Sequence, residues 1–152
     1  MSKDPKDRFV EALGMIAQAE GMPRISGRIL GHLVLADEAL SLTEIAEALD
    51  ISKASASTNL RLLESRGTAE REPRKGSRHD HWRVRPNPHT RVLRPMSQRF
   101  HRNAERMTEI AQEFPAGLAR NKVADFADFY TRSADFLAQW ADAIETPPVP
   151  KA

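Results

Sequence analysis

The fold of this chain is decided by LSLTEIAEALD, residues 40–50, and by ISKASASTNLRLLESRG, residues 51–67. In the first segment, Ser41 and Glu44 have the spacing of a capping box, in which each side chain hydrogen-bonds the other residue's backbone N–H. Apolar residues on either side of the box occupy the two positions of a hydrophobic staple. A short helix is therefore predicted to begin at Ser41.

The second segment predicts another helix over Ser52–Ser65, with Ser52 as its N-cap. Ala56, Leu60 and Leu63 recur at helical spacing and are expected to face the core. Gly67 stands where a left-handed residue commonly ends a helix. Only a tight turn is left between the two helices, which is the arrangement of a helix-turn-helix.

The residues after this helix predict a basic hairpin. Residues 68–71 are expected to form a short strand, RKGSR at 74–78 a basic turn, and DHWRV at 80–84 the returning strand. Two short helices, a tight turn and a basic hairpin are the parts of a winged helix-turn-helix. The predicted fold class is mainly α with a small β-hairpin wing, flanked by N- and C-terminal helices.

Four segments are expected along the chain. Residues 1–22 carry an N-terminal helix, and residues 23–85 form the winged helix-turn-helix. Residues 86–146 hold two long amphipathic helices, separated at Pro115-Ala116-Gly117. The proline-rich tail, residues 147–152, is expected to be disordered.

The flanking helices carry more apolar surface than a small winged-helix core is expected to cover. On the N-terminal helix, Phe9, Leu13 and Ile16 are predicted to form an apolar stripe. A homodimer is the simplest way to bury such stripes, with packing of the long helices on their own winged-helix core as the alternative. The long helices carry their stripes at Met96, Phe100, Met107, Ile110, Ala111 and Phe114, and at Phe126, Phe129, Tyr130, Phe136, Leu137, Trp140 and Ile144.

The distribution of charge points to a polyanion-binding surface. The net charge is +2 for the whole chain, but −4 over residues 1–51, +9 over residues 52–102 and −3 over residues 103–152. A basic middle third between two acidic thirds favours a localised surface for nucleic acid. Charge alone is equally compatible with a solvated basic surface that has no partner.

If the second helix turns its apolar residues inward, helical geometry directs an opposite, polar face toward a DNA major groove. Its small hydroxyl side chains allow close approach and can bond phosphates or base edges. Arg61 can contact guanine in bidentate fashion, or equally a phosphate. The predicted contacts with double-stranded DNA are Ser52, Lys53, Ala54, Ser55, Ser57, Thr58 and Arg61 on the helix, with Arg74, Lys75 and Arg78 at the wing tip.

Several stretches have the pattern of a known family: GMPRISGRILG at 21–31, LTEIA at 42–46 and SKASAS at 52–57, followed by Leu60, Leu63 and Gly67. Together they resemble the GbsR branch of the MarR-like regulators. The resemblance covers roughly residues 21–84. Thr68-Ala69 departs from the family pattern, in which two larger apolar residues are expected, so the first wing strand is expected to be short or loosely packed.

The resemblance implies a homodimeric winged-helix transcription regulator on a roughly palindromic operator, with repression as the commoner mode. It also implies control by a small-molecule effector. Some members of the GbsR branch look like sensors of choline or betaine. A quaternary ammonium needs an aromatic cage, and Trp82, Phe100, Tyr130 and Trp140 are the rings that this sequence offers. Aromatic residues at helical spacing are more often core residues, so both interpretations stay open.

Catalytic and metal chemistry find little support. The chain has no cysteine, which excludes disulfides, thiolate metal sites and cysteine nucleophiles. It has no phosphate-binding loop, dinucleotide fingerprint or zinc-protease motif, so neither an enzyme nor a cofactor is predicted. Alternation along a strand would place His79 and His81 on one face, where His89 or His101 would complete a metal site. The wing is exposed, however, and no cysteine supports such a site, so no metal site is predicted.

No run of about 18 apolar residues predicts a transmembrane helix, and the polar residues 1–8 lack the apolar stretch of a signal peptide. A cytoplasmic protein without a membrane partner is therefore expected. Two other function classes stay open. One is an architectural or low-specificity DNA-binding protein, and the other is a winged helix that contacts proteins.

Overall fold

The computed structural model describes residues 4–146 and divides the chain into two compact units, with the boundary between Pro88 and His89. The tail predicted to be disordered, residues 147–152, lies outside the described residues. The first unit contains α1 (Pro5–Ala19), α2 (Arg24–Leu35), β1 (Leu40–Ser41), α3 (Leu42–Leu49), α4 (Lys53–Ser65), β2 (Ala69–Glu72) and β3 (His81–Val84), and the second unit contains α5 (Thr90–Glu113) and α6 (Leu118–Glu145).

Helices α1 and α2 cross at very close range because glycines line the crossing. Gly14 and Gly27 are buried. A Cβ atom at position 27 would press on the backbone carbonyl of Leu13 and lie 2.7 Å from Cβ of Ala17. Only glycine lets the two backbones approach this closely, so the pair of helices depends on the absence of a side chain.

An ion-pair cluster ties the same two helices together at the edge of their crossing. Arg24 Nη2 lies 2.8 Å from Oε2 of Glu11, and Arg28 Nε lies 2.9 Å from Oε1 of the same carboxylate. The hydrogen bond from Arg24 lowers the pKa of Glu11 below its ordinary value, and Arg28 adds to the effect. Such partly exposed pairs add little to stability, but they fix the rotation of α1 against α2.

The apolar stripe predicted for α1 is not the side of the helix that packs on α2. The helix buries Val10 and Ala17, whereas Phe9 and Ile16 are exposed and Leu13 is only partly covered. The side of the helix that packs on α2 is determined by its small residues and not by its largest ones, because only small residues fit the close crossing. A second, apolar face of α1 consequently points away from α2.

The core of the first unit is formed by one residue or more from every helix and from the sheet. Ile29, Ile45 and Leu60 are fully buried, and Leu63 is almost so. They form a single apolar cluster together with Val10, Leu33, Leu49, Ala69 and Trp82.

The capping box and the turn after it are confirmed. The N–H of Glu44 donates to Oγ of Ser41 over 3.1 Å, and the N–H of Ser41 donates to Oε2 of Glu44 over 2.7 Å. Helix α3 ends at Asp50, which adopts a left-handed conformation with φ 52°. The N–H of Ile51 then donates back to the carbonyl of Ala46 over 3.0 Å, which closes the turn between the two short helices.

A three-stranded antiparallel sheet with the order β1-β3-β2 completes the first unit. The hairpin of β2 and β3 confirms the predicted wing, with Ala69 opposite Val84 and Glu72 opposite His81. Strand β1 was not predicted, because its two residues had been interpreted only as the approach to the capping box. The winged helix-turn-helix fold class is confirmed.

The second unit is an antiparallel helical hairpin that packs through small residues. At intervals of seven residues, α5 buries Ser97, Ala104 and Ala111, and α6 buries Ala127, Ala134 and Ala141. We call these six residues the hairpin seam. Ser97 also donates its hydroxyl to the backbone carbonyl of Ala134 over 2.8 Å. Small side chains at a heptad spacing allow two helices to lie close together along their length.

The large aromatic residues of α6 lie outside the hairpin seam. Phe126, Phe129, Phe136 and Trp140 are all exposed, by 50 to 66%; we call them the outer aromatic stripe. The predicted apolar stripe of this helix therefore divides into two, since Tyr130, Leu137 and Ile144 are partly buried beside the hairpin seam. The predicted break at residues 115–117 is confirmed.

Candidate nucleic-acid interface

Helix α4 presents one apolar and one polar side, as its sequence predicts. Ala56, Leu60 and Leu63 are buried in the core. On the opposite side, Ala54, Thr58, Arg61 and Ser65 are exposed, with Ser55 and Ser57 half-buried at its edges. The polar side carries short side chains and one long cation, so the helix backbone can approach a partner closely.

Both ends of α4 are fixed by local hydrogen bonds. The N–H of Ser55 donates to Oγ of Ser52 over 3.0 Å, which confirms the predicted N-cap. At the other end, Gly67 has φ 71°, and the N–H of Thr68 donates to the carbonyl of Leu63 over 3.0 Å. This is a Schellman motif, so the helix is held at a defined length in front of the wing.

Arg61 and Lys53 are exposed cations on α4. Nη2 of Arg61 lies 3.5 Å from Oγ of Ser57, which is one turn earlier on the helix. This contact orients the guanidinium along the polar side of the helix. Lys53 occupies the first turn, where unpaired backbone N–H groups also attract anions. The two cations therefore lie at opposite ends of the polar side.

Asn59 is a buried polar residue on α4 that sequence reasoning missed. Its Nδ2 donates to the carbonyl of Ser55 over 2.9 Å. Its Oδ1 is buried and accepts no hydrogen bond from residues 4–146. Its position beside Leu60 and Leu63 shows that the apolar side of the helix is not purely apolar, and only its i+3 and i+4 spacing from Ala56 and Leu63 could have suggested burial.

Of the three predicted wing-tip cations, Arg74 is already engaged by carboxylates. Its Nη2 lies 2.9 Å from Oε1 of Glu38, and its Nη1 lies 3.1 Å from Oε1 of Glu44. The backbone N–H of Ser41 lowers the pKa of Glu44 most, and Arg74 lowers it further. The turn of the wing is thus tied to the start of α3.

Lys75 and Arg78 are exposed on the same turn. In the described part of the chain neither has a carboxylate within ion-pair distance. They are the wing cations whose charge is available to a partner.

A second arginine cluster joins the wing to the end of α4 and was not predicted. Arg71 Nε lies 2.7 Å from Oε1 of Glu64, and its Nη1 lies 2.9 Å from Oδ2 of Asp80. The hydrogen bond to Glu64 raises the pKa of Arg71. The guanidinium also lies over the ring of Trp82, 5.5 Å from its centroid. Strand β2, the returning strand and α4 are therefore held as one body.

Comparison with known proteins bears on this geometry. Residues 20–78, which include the helix-turn-helix and the start of the wing, match the family model described as MarR family. Over these residues, the chain is similar to the MarR family. The match does not distinguish branches within the family, so the GbsR branch stays a prediction.

Two curated proteins to which the chain is similar are named as regulators. The HTH-type transcriptional regulator MmpR5 of Mycobacterium tuberculosis is 40% identical over 80 residues, which are 52% of this chain and 48% of that protein. YvaV of Bacillus subtilis, also named as an HTH-type transcriptional regulator, is 34% identical over 91 residues, 55% of this chain and 51% of that protein. The chain thus matches about half the length of these curated relatives.

One solved structure extends the likeness to nearly the whole chain. A crystal structure of a transcriptional regulator superposes with a TM-score of 0.71 and 25% sequence identity, and covers 93% of this chain and 99% of that one. The likeness to this solved structure therefore includes the long helices after the wing.

The four rings predicted to form an effector cage belong to different units of this protein. Trp82 lies in the core of the first unit, where Arg71 covers its ring. In the second unit, Phe100 and Tyr130 meet edge to face with centroids 5.2 Å apart, while Trp140 contacts Phe136 instead. Phe100 lines a groove of about 410 Å³ with Met96, Arg132, Ser133, Phe136 and Leu137.

The histidines near the wing are separated by the end of the strand. His79 is exposed and precedes β3, whereas His81 is buried within β3 and its Nδ1 lies 2.8 Å from the carbonyl oxygen of His79. The expectation that one strand face carries both side chains is therefore wrong. Residues 4–146 contain no group of three potential metal ligands. None of the helices described here is long and apolar enough to cross a membrane.

Proposed function

We propose that this protein is a sequence-specific, double-stranded DNA-binding transcription regulator that acts as a homodimeric repressor. The observation that carries the proposal is the polar side of α4, which has small side chains and Arg61 and is held by caps at both ends. A rigid helix with short side chains fits a DNA major groove. The names of the relatives as transcriptional regulators support the same function and a non-enzymatic role.

The proposed DNA contacts follow the sequence prediction with one change. Residues 52–55 and 57–58, with Arg61, contact the major groove and the adjacent phosphates. Lys75 and Arg78 contact the DNA backbone from the wing. Arg74 serves a different purpose, because Glu38 and Glu44 already balance its charge and hold the turn.

The outer aromatic stripe supports a homodimer. Four large aromatic side chains at helical spacing are exposed on α6 of a single chain, although proteins rarely leave such a surface in water. A second copy of the same helix offers an identical apolar stripe, and a twofold axis lets the two cover each other. Helix α1 also has an exposed apolar face, with Phe9 and Ile16, which we assign to dimerisation.

A dimer also suits a roughly palindromic operator, because two copies of α4 then read two half-sites. Control by a small-molecule effector belongs to this proposal through the family resemblance, and the cage of Trp82, Phe100, Tyr130 and Trp140 remains a hypothesis. A regulator of this kind acts on genomic DNA, so we propose that the protein is located in the cytoplasm.

Selection of duplexes from a random pool by the purified protein tests the function. A twofold symmetric site bound at least about a thousandfold more tightly than scrambled DNA is the expected result. Binding without an enriched site would instead indicate a low-specificity DNA-binding protein, which the few base-reading side chains on α4 would favour. Absence of any DNA binding would contradict both and favour a protein-contact module.

Arg61→Ala is expected to weaken binding to the selected site by about 1–3 kcal/mol and to relax the preference at one base pair, because a bidentate base contact is lost. Fluorescence anisotropy with the selected and the scrambled duplex measures the effect. Arg66→Ala, which removes an exposed arginine just past the end of α4, is the charge-matched control. An equal loss on both duplexes would reassign Arg61 to a phosphate.

Arg78→Ala and Arg74→Ala are expected to differ in the salt dependence of DNA binding. Arg78→Ala should weaken binding to all sequences and reduce the slope of log K against log salt by about one unit, since one phosphate contact disappears. Arg74→Ala should leave the slope unchanged, because its guanidinium is balanced by two carboxylates. Equal slopes for the two variants would contradict the assignment.

A further inference from the structure

The segment that follows the wing is unusually rich in arginine. The 24 residues from His81 to Ala104 contain six arginines and no aspartate or glutamate. Carboxylates on other elements pair with three of these cations. Arg83 and Arg85 pair with Glu70 on β2, and Arg94 pairs with Asp142 and Glu145 on α6. The hydrogen bond from Arg94 lowers the pKa of Glu145 most, and the nearby charge of Arg91 lowers it slightly further.

Three arginines on α5 have no such partner. Arg99, Arg102 and Arg106 are exposed, and none of them lies within ion-pair distance of a carboxylate in the part of the chain that the structure describes. Their spacing of three and four residues aligns them on one side of the helix, over about 10 Å of its axis. We call them the arginine stripe.

The arginine stripe faces away from the hairpin seam. Residues 97 and 104, which α5 buries against α6, lie on the opposite side of the helix. The stripe is therefore not needed to hold the hairpin together. The exposed residues between and beside the three arginines, Gln98, His101, Asn103 and Glu105, are all polar. The exposed apolar Val92 and Ile110 lie beyond the two ends of the stripe on the same side of the helix.

We infer that the arginine stripe binds the phosphate backbone of DNA that flanks the operator, an inference that rests on the proposed DNA-binding function. Guanidinium groups suit phosphates because they are planar, always charged and able to donate two parallel hydrogen bonds. Charge along α5 supports the assignment, because the end that follows the wing is basic and the carboxylates Glu105, Glu109 and Glu113 lie toward the hairpin end.

Chain length places the stripe within reach of such DNA. Strand β3 ends at Val84 and α5 begins at Thr90. Six steps of extended chain and the nine helical residues to Arg99 span at most about 35 Å, roughly one turn of B-DNA. A duplex extended by about ten base pairs on each side of the selected site therefore presents phosphates that the minimal site lacks.

The test compares the wild type with the triple variant Arg99→Gln, Arg102→Gln and Arg106→Gln on these two duplexes. Glutamine keeps helix propensity while it removes the charge. The wild type should bind the extended duplex more tightly and with a salt slope about five units steeper, because each subunit of the proposed dimer adds three arginine–phosphate contacts. The triple variant should bind both duplexes with the affinity and slope that the wild type shows on the minimal one.

A charge-matched variant of α6, Arg120→Gln, Lys122→Gln and Arg132→Gln, controls for net charge and should retain the length dependence. Equal losses in both triple variants, or no dependence on duplex length in the wild type, would overturn the inference. Stripe-dependent binding to phosphatidylserine vesicles, without an effect of duplex length, would overturn it in favour of a membrane surface. If the wild type still binds the minimal site, failure of this test concerns the arginine stripe alone and leaves the proposed DNA-binding function intact.

Discussion

Replacing Phe136 by aspartate should convert the proposed dimer into a monomer. Phe136 lies in the middle of the outer aromatic stripe and is 64% exposed in the single chain, beside Trp140. In a twofold interface the substitution is present in both subunits. Each copy removes an aromatic contact and places a charged carboxylate in an apolar interface. The dimer dissociation constant should rise at least about a thousandfold, equivalent to roughly 4 kcal/mol.

Sedimentation velocity over a range of concentrations measures this change. Gln139→Asp, one turn away on the polar side of α6, introduces the same charge and should leave the dimer intact. Circular dichroism should show an unchanged helical hairpin in both variants, because neither residue belongs to the hairpin seam. A wild type that is monomeric, or a Phe136→Asp variant that remains dimeric, would contradict the proposed interface.

Gly27→Ala is expected to destabilise the first unit by about 2–3 kcal/mol. The new methyl group has no space, because it would press on the carbonyl of Leu13 and on Cβ of Ala17. Backbone cannot move aside as a flexible side chain can. Alanine has a more favourable helix propensity than glycine, by about 1 kcal/mol. This gain offsets part of the cost of separating α1 from α2, so the measured loss of stability is smaller than that cost.

Urea unfolding followed by tryptophan fluorescence measures the loss in the first unit, provided that Trp140→Phe is the common background. Trp82 then remains as the single tryptophan and reports the core in which it is buried. Gly14→Ala is the milder comparison, because its Cβ would meet Cγ of Arg28 at 2.8 Å and the backbone oxygen of Arg24 only at 3.2 Å, so it should cost less than Gly27→Ala. A Gly27→Ala variant as stable as the Gly14→Ala variant would show that the helices do not cross this closely.

Local signals in the sequence predicted the helix-turn-helix correctly. The Ser41–Glu44 box, the Ser52 cap and Gly67 each depend on hydrogen bonds within a few residues, so the residue types alone determine the geometry. The buried side of α4 followed from the spacing of Ala56 and Leu60. Its polar side, with the candidate DNA contacts, was fixed by the same spacing.

Packing between elements was harder to predict, because size was taken as the sign of burial. In α1 and α6 the buried positions belong to glycine and alanine, and the largest side chains point outward. The seven-residue spacing of Ala127, Ala134 and Ala141 was visible in the sequence and could have indicated the hairpin seam. Partners far apart in sequence, such as Arg74 with Glu38 and Arg71 with Glu64, left no local signal.

The hairpin seam and the outer aromatic stripe lie on one helix without sharing a residue. If the outer aromatic stripe forms the proposed dimer interface, changes in its four residues alter which chains associate while each chain still folds its own hairpin. A cell that holds several regulators of this architecture needs them to avoid mixed dimers, and such insulation requires differences that disfavour the wrong partner. With the proposed interface, the choice of partner can evolve on the aromatic residues alone, while the small residues of the hairpin seam keep the scaffold constant.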